Sequence, residues 1–193
     1  MIAAALLACA VNVAPATLEA VIRVESDGDP LALNVNRLTG PQPHPATLPD
    51  AVRLAERYIH RGYSVDLGLM QVNSRNLAAL GYSIAQVLDP CTNIQGGARI
   101  LTANYAEAVR SRGEGQAALQ AALSAYNTGS FFQGFENGYV AKYYGPNGVP
   151  ALAGDGGRTV VAVATSKRAT PPPNPYTADT QIYVREVMNF HVD

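Results

Sequence analysis

No apolar run in this chain approaches the roughly 20 residues that a membrane-spanning helix needs, although hydrophobic residues make up 48% of it. It reads as a soluble globular protein. Charge of one sign is also missing. The formal net charge is −1, with no basic stripe to meet a phosphate backbone, so nucleic acid is excluded as a partner. A neutral, polar polymer such as a polysaccharide suits this balance better. Three histidines, His44, His60 and His191, stand apart without ligand spacing, and no metal or other cofactor is expected. Two cysteines, Cys9 and Cys91, are too few for a disulfide scaffold and wrongly spaced for zinc. They are either buried thiols or one bridge.

What is present is helical periodicity. The 193 residues allow one compact domain with a core and some appended sequence. Ile2–Val11 resembles the apolar part of a signal peptide, with Leu6-Leu7-Ala8-Cys9 like a lipoprotein cleavage box. No basic residue precedes it and a helix follows at once, so it is expected to be a core helix. An export signal is not evident in the chain. In Thr17–Ser26, with Thr17 as the cap, Leu18, Val21, Ile22 and Glu25 fall on one face, and Asp27-Gly28-Asp29-Pro30 stops the helix.

Further along, Asn34–Pro49 reads as a loop, and Ala51–Arg61 as an amphipathic helix closed by Gly62. Gly68–Leu80 is a turn entering a short helix. Ile94–Arg112 and Gln116–Asn127 are longer helices ended by Gly113 and Gly129. Beyond Gly145 the composition turns Gly/Pro-rich. Thr159–Ala164 could form a strand, Pro171-Pro172-Pro173 begins a stiff linker, and Asp179–Phe190 could form a terminal helix. The expected organisation is a domain over 1–145 and a tail over 146–193, with no internal repeat.

Glu25 is the sharpest chemical clue. A carboxylate ending an apolar stripe is costly to bury ionised, so its pKa should rise toward what a general acid needs. The bland alternative is a solvated residue at a frayed helix end, or one paired with Arg23. Further blocks bear on this choice. Glu25-Ser26, Gly68-Leu69-Met70-Gln71 and Ala125-Tyr126-Asn127-Thr128-Gly129 occur in that order. With them the sequence resembles the soluble lytic transglycosylases, which have a lysozyme-like fold similar to goose-type lysozyme.

Asp66-x-Gly68-Leu69-Met70-Gln71-x-Asn73-Ser74-Arg75-Asn76, the Asp89-Pro90-Cys91 turn, Gly134-Phe135 and Asn137-Gly138-Tyr139-Val140 are closest to the specialised branch serving type IV secretion and conjugative transfer. The likeness spans roughly residues 9–145.

The resemblance implies a mainly α, lysozyme-like domain with an extended C-terminal tail. It also implies an enzyme in the periplasm that cleaves peptidoglycan glycan strands with one essential carboxylate. Glu25 would protonate the oxygen between N-acetylmuramic acid and N-acetylglucosamine. As base it would then take the muramic carbon-6 hydroxyl proton, giving a 1,6-anhydro end. Ser26 would steady the N-acetyl group; its other reading is a helix-end serine bonded to backbone. Gly68, Met70, Gln71, Asn73, Tyr126 and Asn127 would form the cleft, with Met70 as an apolar wall and Gly68 allowing close approach to the sugar.

A family tyrosine that contacts the acid matches Tyr139 or Tyr183. Tyr139 is preferred because Tyr183 follows the Pro-rich segment. The branch also implies a Cys9–Cys91 disulfide, and the tail from Ala169 onward suits recruitment of other secretion proteins. A hydrolytic muramidase, or a glycan-binding assembly factor that does not cut, are the competing readings. For hydrolysis, Asp27, Asp29 or Asp66 could position a water.

Overall fold

The computed structural model describes Ile2 and residues 4–144. The expected boundary near 145, the tail at 146–193, the strand and helix expected within it, and Tyr183 lie outside the described residues. The described chain is mainly α with one small antiparallel sheet. It falls into two compact units, the first ending at Ala103 and the second beginning at Asn104.

In the first unit, α1 (Ala4–Leu7) is four residues long and buries none of them. The core helix expected over Ile2–Val11 is therefore not formed, and Val11 is 94% exposed. One turn of helix is too short to carry an apolar stripe and is marginal alone. The segment is instead fastened at its C-terminal end. Cys9 is disulfide-bonded to Cys91, and the Asn12 amide donates to the Thr102 hydroxyl at 3.0 Å.

Helix α2 (Pro15–Ser26) begins at the proline, whose fixed φ and missing N–H suit a first turn. Thr17, expected as the cap, is buried inside the helix, and Ala14 precedes the first turn without a side-chain cap. Leu18, Val21 and Ile22 are fully buried, each contributing about 1.5–3 kcal/mol by the usual area relation. Asp27 in the left-handed region, φ 51°, ends the helix.

Strands β1 (Leu33–Val35), β2 (Val65–Leu67) and β3 (Val72–Asn73) pair antiparallel in that order. Leu33 faces Leu67 and Val35 faces Val65, while Asn34 faces Asp66 and Asp66 faces Asn73. One sheet face is thus buried aliphatic and the other polar. The loop expected from Asn34 therefore opens with the end of a strand. Helix α3 (Leu48–His60) starts before Ala51 because Thr47 caps it, accepting from the Asp50 N–H at 3.3 Å. Short α4 (Leu77–Leu80) and α5 (Ile84–Val87) follow, the latter begun by a Ser83/Gln86 capping box. Helix α6 (Pro90–Arg112) starts in this unit and ends in the second.

The second unit packs the end of α6 with α7 (Gln116–Thr128), around Ala108, Ala118, Ala121, Ala125 and Phe131. Helices α8 (Gln133–Glu136) and α9 (Ala141–Tyr144) complete it. Close approach of α8 to α7 requires Gly134, since a Cβ there would lie 2.6 Å from Ser124 Cα. The Ser124 hydroxyl seals the contact, accepting from the Gly134 N–H at 2.8 Å and donating to the Ser130 carbonyl at 2.6 Å.

Candidate active site

The buried stripe of α2 ends on Glu25, which is half-buried in the last turn of the helix. Arg23 lines a surface cavity with Glu19, Asp27 and Gly28, the face recurring every four residues.

Ser26 fixes this helix end. Its hydroxyl donates to the Leu69 carbonyl at 2.7 Å, lies 3.1 Å from the Ile22 carbonyl, and accepts from the Gly28 N–H at 3.2 Å. The backbone-bonded reading of Ser26 therefore describes its geometry, and its one proton is used within the protein.

Leu69 belongs to the turn joining β2 to β3. Gly68 there has φ 70° and donates its N–H to the Ala32 carbonyl at 2.9 Å. The space beside it is filled by Asn93: a Cβ on Gly68 would come within 2.9 Å of Asn93 Cγ. Glycine is thus required by a neighbouring side chain, where the sequence pointed to close approach of a sugar. Met70 is 0% exposed. It is a core residue and not the groove wall expected, because the turn directs it inward between Leu69 and Val72, both buried.

Gln71 adopts φ 48°, a left-handed conformation that costs a non-glycine residue about 1–3 kcal/mol and clusters at functional sites. Its side-chain amide donates to the Gly68 carbonyl at 2.9 Å, with the Ala32 carbonyl at 3.2 Å. Both of these bonds use the amide nitrogen of this half-buried side chain.

Asn73 is buried: its Nδ2 donates to Asp66 at 2.6 Å and its Oδ1 accepts from the Arg75 N–H at 3.0 Å. Both bonds serve the sheet and the turn after it. Asp66 is the centre of a cage. Its second oxygen accepts from Asn34 at 3.1 Å and Asn36 at 2.9 Å. Burial pushes its carboxyl above the usual range, opposed by these three amide donors.

Asn93 escaped the sequence reading. It is 1% exposed and bonded entirely to backbone. Its Oδ1 accepts from the Met70 N–H at 2.7 Å, and its Nδ2 donates to the carbonyls of Leu67 at 2.8 Å and Val87 at 2.7 Å. The available signal was an amide at the fourth residue of α6, just before the buried Ile94, where a polar side chain must find partners.

In the second unit, Tyr126 is buried near the end of α7 and Asn127 is exposed. The Asn137 amide donates to Asn127 Oδ1 at 3.2 Å, and Asn137 Oδ1 accepts from the Tyr139 N–H at 2.9 Å. Tyr139 is buried, with its hydroxyl 2.7 Å from that of the fully buried Tyr143. Gly134, part of the resemblance, is explained by its approach to Ser124.

The disulfide has Cα atoms 5.4 Å apart. Among the described residues no cluster of His, Cys, Asp or Glu could hold a metal, and no helix is long and apolar enough to cross a membrane.

The family model for the transglycosylase SLT domain matches residues 4–144, and with it goes the lysozyme-like fold class. Protein virB1 of Agrobacterium fabrum strain C58 is 43% identical over 134 residues, covering 69% of this chain and 54% of that protein. Its namesake from Rhizobium radiobacter is 42% identical over 134 residues, covering 69% and 55%. The type IV secretion system protein virB1 of Brucella abortus biovar 1 is 40% identical over 131 residues, covering 66% and 54%. The chain spans about half the length of these curated relatives. No solved structure gives a significant match.

Proposed function

This chain belongs to the transglycosylase SLT domain family, and from that premise we propose that it is a peptidoglycan lytic transglycosylase with Glu25 as its acid and base. The observation that carries the reading is the place of Glu25. A half-buried carboxylate ends the apolar stripe of α2, and the next residue bonds that helix end to the turn bearing Gln71.

The reaction breaks the bond between carbon-1 of N-acetylmuramic acid and the oxygen of the next N-acetylglucosamine. Glu25 gives its proton to that leaving oxygen, and an oxocarbenium-like sugar develops. The resulting carboxylate takes the proton of the muramic carbon-6 hydroxyl, whose oxygen closes on carbon-1. The 1,6-anhydro ring forms without water and Glu25 recovers its proton.

Gln71, Tyr126 and Asn127 are assigned to glycan binding, and Tyr139 is assigned as the phenol serving the acid. Gly68, Met70 and Asn73 belong to the same proposed site as its supporting frame.

The hydrolytic alternative needs a second carboxylate free to activate water. Asp66 has both oxygens occupied by asparagine amides. Asp29 accepts from the Leu31 N–H at 2.8 Å in its turn, and Asp27 is the exposed residue ending α2. This favours the anhydro route.

The secretion-system relatives support a biological setting: local opening of the wall, in the periplasm, for assembly of a type IV secretion or conjugation apparatus. Partner proteins would be engaged through the segment after residue 145. Mass spectrometry of purified peptidoglycan digested by the protein tests the chemistry: anhydro-muropeptides are expected, and reducing ends would make it a hydrolase.

A further inference from the structure

Resting on the assignment of Glu25 as the acid, we propose that Asn93 and Ser26 are positioning residues, a two-sided clamp that holds the Gly68–Gln71 turn in register with the catalytic end of α2. The two side chains grip one short segment, and meet on its 69–70 peptide group. Asn93, from α6, takes the Leu67 carbonyl and the Met70 N–H; Ser26, from α2, takes the Leu69 carbonyl between them.

Both side chains are bonded to backbone. The Asn93 amide uses both protons and its oxygen on backbone. The Ser26 hydroxyl commits its proton to Leu69 and a lone pair to the Gly28 N–H.

What the clamp holds gives it a functional meaning. On one side is the helix turn carrying Glu25. On the other is Gln71, kept at φ 48°, a conformation that persists only when its surroundings over-determine it. A hydroxyl reaching across 43 residues of chain fixes the offset between acid and carboxamide. Small errors in such an offset are costly to the transition state and cost little in ground-state binding.

The test is a double-mutant cycle of Ser26→Ala and Asn93→Ala. Kinetics on purified glycan strands are run at a temperature where circular dichroism shows each variant folded. Each single variant is expected to lower kcat by about tenfold or more with KM changed less than about twofold. The double variant should lose scarcely more than the worse single, because both act through one turn.

Should Asn93→Ala not fold, Gly68→Ala takes its place, since the added methyl displaces the Asn93 amide. Variants that melt earlier yet keep kcat within about twofold would reduce the clamp to a stability feature. A raised KM with unchanged kcat in Ser26→Ala would make Ser26 a substrate ligand and overturn the proposal. Wild-type activity that survives Glu25→Gln removes the underlying assignment and is read separately from the cycle.

Discussion

Gly68 and Asn93 are fitted to one another so closely that no Cβ can stand between them. The amide of Asn93 occupies the space where a side chain on residue 68 would begin, and the glycine backbone sits at φ 70°. Gly68→Ala therefore combines left-handed strain with a clash against a side chain that is locked by three backbone hydrogen bonds. It is expected to destabilise the fold by about 2 kcal/mol or more, read as a lowered urea midpoint at unchanged slope. Wild-type stability in this variant would mean that Asn93 is free to move.

The Cys9–Cys91 bond closes a segment of 82 residues and fastens a stretch whose helix buries nothing. Cys91→Ser, or reduction, is expected to cost about 2–4 kcal/mol, seen as an earlier thermal transition. Protein made under oxidising conditions should show no free thiol. Labelling of both cysteines in unreduced protein would contradict the bridge.

Asp66 makes stability depend on pH in a definite direction. Burial holds its folded-state carboxyl above the usual range, so the folded chain binds this proton more tightly than the unfolded one. The stabilisation is complete below the ordinary carboxylate pKa and is lost as pH rises through the raised value. Urea unfolding across that window should show wild type losing stability relative to Asp66→Asn as pH rises. A difference that does not vary with pH would contradict the direction given.

Tyr139 is the phenol assigned to serve the acid. Tyr139→Phe keeps the ring in its buried seat but removes the hydroxyl beside that of Tyr143; it is expected to lower kcat by about tenfold or more, with a stability loss of about 1–3 kcal/mol that leaves the protein folded for assay. Tyr183→Phe should leave kcat near wild type. The reverse pair of results would transfer the role to Tyr183.

Long, periodic elements were legible in the sequence. The stripe Leu18, Val21, Ile22, Glu25 and the helices ending at Gly113 and Gly129 stand because many residues vote for one period. The sheet was not legible: strands of two or three residues carry too few positions to show alternation. At Ile2–Val11 apolar composition suggested a core helix, yet composition without a stripe has no face to bury. Among site residues, motif order marked Glu25, Ser26 and Gln71, but not what each side chain does. Ser26 and Asn73 bond to the protein itself, and Asn93 lies outside the quoted blocks, with two of its three partners backbone atoms more than 20 residues away.

The central claim is that Glu25 alone drives cleavage to an anhydro end. Its most direct test is digestion of purified peptidoglycan by wild type and by Glu25→Gln, confirmed folded, with products identified by mass spectrometry. Anhydro-muropeptides from the wild type and none above background from Glu25→Gln are expected. Equal yields from both, or wild-type products with only reducing ends, would contradict the account.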